Sequence, residues 1–120
     1  MKHLTLLIAL LASLSAVAAT LRQPIHSGRY IFQHKFAEHP NMPSISLIAT
    51  ISGQHIVLIN EERSDVFPKG VLAEGTLMWH AASGQWIIGT SKSDKNAKEV
   101  GGCSTGPDVV DLLKHIYWTC

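Results

Sequence analysis

Cys103 and Cys120 are the most reactive residues in this sequence, and it contains no other cysteine. Cys103 sits in the run Gly101-Gly102-Cys103-Ser104-Thr105-Gly106-Pro107, and Cys120 is the last residue. A thiol near a helix start can ionise early and act as a nucleophile. Ser104, Thr105 and Gly106 could offer backbone amides to an anion beside it. The opposing reading is a disulfide, which an even cysteine count favours in an exported chain. Cys103 and Cys120 are therefore expected to pair as a structural bridge, stabilising by ~3 kcal/mol on the loop-entropy model.

Histidine is the second candidate. Beyond residue 18 lie His26, His34, His39, His55, His80 and His115. Neutral imidazoles suit zinc or copper, and His34, His39 and His80 are the candidates for such a site. No pair has the i, i+4 spacing of a helical metal site, and there is no C-x-x-C motif. No metal or other cofactor is expected. Acid–base catalysis needs two converging groups, and Glu74 with His80 and His34 is the one set that could supply a small hydrolase. Asp111 fits better as an acid in the first turn of a helix. G-x-S-x-G, H-E-x-x-H, G-x-G-x-x-G and P-loop patterns are absent.

Aromatic residues form the third group: Tyr30, Phe32, Phe36, Trp79, Trp86, Tyr117 and Trp118. They can fill a core, or some can line an apolar pocket. Trp79, Tyr30, Phe32 and His80 are the candidate ligand-binding set. Trp86 is expected in the core and Trp79 at the surface, because His80 and a polar turn follow Trp79 directly.

These side chains are positioned by short strands. Residues 28–36, GRYIFQHKF, alternate Tyr30, Phe32, His34 and Phe36 against Arg29, Ile31, Gln33 and Lys35, the pattern of a half-buried strand. Two β-rich runs, 45–52 and 54–60, meet at Ser52-Gly53 as a hairpin. Ile56 and Leu58 on one face, with Val57 and Ile59 on the other, suggest a strand covered on both sides. A second hairpin turns at Ala82-Ser83-Gly84, which makes Trp79 and Trp86 direct or diagonal neighbours. Gly75 and Gly89 interrupt its strands, as glycines do at bulges and bends. The polar stretch 92–106 is expected to be mobile.

The last segment, DVVDLLKHIYWTC, cannot be one long strand. Thirteen extended residues span ~40 Å, and bridged Cα atoms lie only ~4.4–6.8 Å apart. A hairpin at Leu113-Lys114-His115 satisfies the bridge but lacks glycine, asparagine or proline at its turn. A helix over about 107–116 has a capping Ser104 or Thr105, Pro107 in the first turn and Val109, Leu112, Leu113 and Ile116 on one face. The expectation is thus an α+β domain, mainly antiparallel β. Five or six strands in hairpins form a curled sheet or small barrel, followed by a C-terminal helix and a disulfide-stapled tail. From Gly28-x-Tyr30 through the hairpins to the late helix, this order is similar in outline to small calycin-like barrels, which bind apolar ligands.

Lys2, the apolar run from Leu4 to about Leu14 and Ala16-Val17-Ala18 have the anatomy of a secretory signal peptide, residues 1–18. Residues 19–120 then form a single domain, periplasmic or secreted. Removing Lys2 leaves nine Lys+Arg against nine Asp+Glu, without the positive footprint a nucleic-acid partner needs. No second apolar stretch could span a membrane. The function expected is non-catalytic binding of a small apolar ligand or of a protein partner, such as an enzyme being inhibited. The alternative is a histidine-dependent hydrolase or metal-handling protein. The exported protein should begin at Ala19 or Thr20; intact mass and amino-terminal sequencing check this, and retention of residues 1–18 would contradict it.

Overall fold

The computed structural model describes residues 22–120. The proposed signal peptide lies outside the described residues. Seven strands run in chain order around a closed barrel: β1 (Gly28–Phe36), β2 (Ser46–Ser52), β3 (His55–Asn60), β4 (Gly70–His80), β5 (Gln85–Gly89), β6 (Asp108–Asp111) and β7 (Ile116–Thr119). Every neighbouring pair is antiparallel except β1–β7, which closes the ring in parallel from Gln33↔Ile116 to Phe36↔Thr119.

Alternation decides what points inward. Phe32 of β1, Leu47, Ala49 and Ile51 of β2, Ile56 and Leu58 of β3, Leu77 of β4 and Ile88 of β5 form one cluster with Val110, Leu112 and Tyr117. These side chains fill the interior, as they do in small barrels. The β3–β4 register shifts at Leu58/Ile59, where Ala73 and Val71 are the partners and Leu72 is the extra residue. Both Leu72 and Ala73 therefore pack against the core, while Val71 faces out, the geometry of a bulge. Gly75 serves a different purpose from the expected bulge: a Cβ there would strike the Gly89 carbonyl.

The ring has seven strands rather than the five or six expected, and two further expectations need correction. β3 is not covered on both sides. Ile56 and Leu58 are buried inside, while Val57 and Ile59 are only half-buried outside, because a barrel has one interior. The helix expected over 107–116 is absent too. That segment is the hairpin β6–β7, so the fold is a seven-stranded β-barrel rather than α+β. Its turn needs no glycine. Asp111 Oδ1 accepts the amides of Leu113 and Lys114 at 2.9 and 2.7 Å, an Asx-type turn. His115 takes the left-handed position at φ 56°, which histidine tolerates better than most residues. Asp111 is thus a turn former and not a helix acid.

Among the described residues the sole helical element is a 3-10 turn, Lys92–Asn96, in the stretch expected to be mobile. Asp94 anchors it by accepting the amides of Thr90 and Ser91, which hold its carboxyl below the usual range. No described helix is long and apolar enough to cross a membrane.

Cys103 and Cys120 form a disulfide with Cα atoms 4.6 Å apart. The bridge ties the 97–107 segment to the end of β7. Gly101 in that segment sits at φ 64°, with its α-carbon so close to Val109 that a Cβ would lie 2.6 Å from Cγ2. The segment thereby lies over the outer face of β6. Cys103→Ser should lower unfolding free energy by ~2–5 kcal/mol, the range for a small exported domain that loses its bridge. Urea titration of parent and variant measures it; an unchanged midpoint would contradict a structural role.

Candidate functional site

The chemically capable residues do not converge on one centre. His34 points into the barrel, where it is 2 % exposed. Its Nδ1 lies 2.6 Å from Ser44 Oγ and its Nε2 lies 2.7 Å from Thr119 Oγ1. Phe36, Phe67 and Tyr117 stand edge-on around the ring, with centroids at 4.6, 4.6 and 5.9 Å. Burial in this aromatic box holds the imidazole below its ordinary value of 6.5, against the opposing charge of Asp108. Beside it the Tyr117 hydroxyl donates to Asp108 Oδ2 at 2.6 Å. Burial first, and then that carboxylate, raise the phenol well above its usual range.

His80 has a different task. It faces outward from β4, yet it is buried because the 97–104 segment lies over it. Nε2 donates to the Ala97 carbonyl at 2.7 Å. Nδ1 then accepts, with Ser83 Oγ at 2.7 Å and the Ser83 amide at 3.2 Å. Both nitrogens are committed, so the ring pins the loop to the β4–β5 hairpin. Glu74 is exposed and pairs with His55 Nε2 at 3.0 Å. His39 lies exposed in the turn after β1. His34, His80 and Glu74 are thus not brought together. Among the described residues no three His, Cys, Asp or Glu side chains converge as a metal site.

The aromatic set divides as well. Phe32 lies in the barrel core, stacked on His115 with centroids 5.0 Å apart and planes within 5°. Tyr30 meets the edge of the same imidazole at 5.3 Å, and its hydroxyl donates to the His26 carbonyl at 2.8 Å. Phe32 and His80 present no surface to a ligand. Trp79 and Trp86 are paired directly across β4–β5, with centroids at 5.6 Å and planes at 62°. Both are half-buried. Trp86 packs against the core cluster.

These two indoles border a largely apolar groove, about 410 Å³ in volume. Val110, Leu112, Leu113 and Trp118 from the β6–β7 hairpin complete its walls, with Arg22 and Pro24 at one side. Leu112 and Leu113 fit the helical periodicity of 107–116 and Trp118 lies in the tail beyond it, so nothing in the residue order signals that they meet Trp79. The paired cysteines were the available clue, because they also admit the hairpin.

No known protein family, curated protein or solved structure matches the chain.

His34 predicts a pH dependence. Its folded pKa is below the unfolded value of 6.5, so the unfolded chain binds the proton more readily. The stability it contributes is complete above the unfolded pKa and declines as pH falls from there toward the lowered folded pKa. Denaturant unfolding at pH 7.5 and 5.5 should show a loss in the parent and a smaller one in His34→Gln. Equal losses would remove His34 as the cause.

Proposed function

We propose that this chain is an exported, non-catalytic binding protein whose ligand is a small apolar molecule. The observation that carries the proposal is the groove walled by Trp79, Trp86, Trp118 and Leu112 on a barrel whose interior is already filled. A closed barrel can hold a ligand inside only where side chains leave room. Here the core cluster occupies the interior, so the groove at the barrel rim is the place left for an apolar ligand. Its volume falls in the ~300–1,000 Å³ range of small-molecule sites. Half-exposed tryptophans supply large contact area with little rotamer entropy to lose.

Export is supported by the signal-peptide anatomy of residues 1–18 and by a disulfide that suits an oxidising compartment. A hydrolase or metal-handling reading on His34, His80 and Glu74 gains no support from their separate placements. A protein partner is the second reading, favoured by Leu113, which is 77 % exposed at the hairpin tip beside the groove.

The neutral fluorophore N-phenyl-1-naphthylamine tests the groove. The parent should enhance its emission saturably. Trp79→Ala should abolish the enhancement and change stability by less than ~1 kcal/mol, as a binding residue outside the core does. Trp86→Ala should cost about 2 kcal/mol, less than the ~3–5 of a fully buried tryptophan. A parent that leaves the fluorophore dark would overturn the small-ligand proposal.

A further inference from the structure

We infer that the ligand of this groove is an apolar molecule bearing one anionic group, a carboxylate or its equivalent, held by Arg22. The inference rests on the proposed groove and adds the charge of its occupant. Two charged side chains line the groove, Arg22 and Asp111. They are not equivalent.

Asp111 is already used. Its Oδ1 accepts both the Leu113 and Lys114 amides, and these bonds shape the β6–β7 turn. A carboxylate that accepts two backbone amides has much of its charge answered locally. Arg22, by contrast, forms no ion pair and no side-chain hydrogen bond among the described residues. Of the other two arginines, Arg29 pairs with Glu61 at 3.1 Å, and Arg63 is not among the residues that line the groove. Arg22 therefore brings an uncommitted, planar, multi-donor cation to the edge of a wall of indole and aliphatic carbon. That combination suits an amphipathic anion. The apolar body lies against Trp79, Trp86 and Leu112, and the guanidinium takes two oxygens of the head group in a fork.

Apolar cations fit less well. Their charge would have to meet Asp111 Oδ2, on a carboxylate whose charge is partly answered by the two amides at Oδ1. Neutral apolar molecules can use the walls but leave Arg22 without a role.

Decanoate and 1-decanol share a chain and differ in the head group, so tryptophan quenching by each separates the walls from the charge. Decanoate should bind about fivefold or more tightly, the scale of a partly exposed ion pair. The preference should shrink as salt rises, because an exposed pair is screened. Arg22→Gln should bring the decanoate-to-decanol ratio close to one, and Arg22→Lys should retain part of it. Equal binding of the two by the parent would overturn the anionic assignment and leave the groove proposal standing. A decanoate preference that survives Arg22→Gln would overturn Arg22 as the anchor. Failure of both to quench would remove the groove itself, as the neutral fluorophore also tests.

Discussion

The parallel pairing of β1 with β7 is the contact on which the rest of this barrel depends. Six antiparallel neighbours could form an open, curled sheet with two exposed edges. Joining Gln33–Phe36 to Ile116–Thr119 removes both edges at once, which also removes the sites where another strand could add. The same pairing carries His34 to Tyr117 and Thr119. It delivers Cys120 to Cys103 as well, because β7 ends where the 97–107 segment passes. Closure depends in turn on a four-residue reversal after Asp111, without which β7 could not return along β1.

A seven-stranded ring of this size leaves little space inside. Phe32, Leu47, Ile56, Leu58 and Leu112 are fully buried and occupy it. Filling the interior stabilises a small domain, whose surface-to-volume ratio allows little apolar burial elsewhere. It also displaces any ligand site to the rim, where the β4–β5 and β6–β7 hairpins stand side by side. There the tryptophans are anchored at one edge by the core and open to solvent at the other.

Two histidines that looked like chemistry act as struts. His34 joins the loop before β2 to the end of β7 through Ser44 and Thr119. His80 joins the stapled segment to the β4–β5 turn through Ala97 and Ser83. Each buries an imidazole with both nitrogens bonded, as a buried polar group requires. The difference lies in their surroundings. His34 is enclosed by aromatic rings and has lost its hydration, so its protonation opposes folding in acid.

Much of the strand plan was legible from residue order. GRYIFQHKF alternates cleanly because one side faces the core, and the two central hairpins follow from their glycine-bearing turns. The cysteine pair was legible from its even count. The last hairpin was not. Its Val109, Leu112, Leu113 and Ile116 obey helical spacing, and its turn uses Asp111 and His115 in place of glycine. Nothing local distinguishes the two outcomes. The choice falls to the hydrogen bonds β6 and β7 make with β5 and β1, whose partners lie 20–24 and 83 positions away in the chain. The groove shares this origin. Each of its tryptophans could be named in advance, but their meeting required two hairpins remote in sequence to become neighbours in a closed ring.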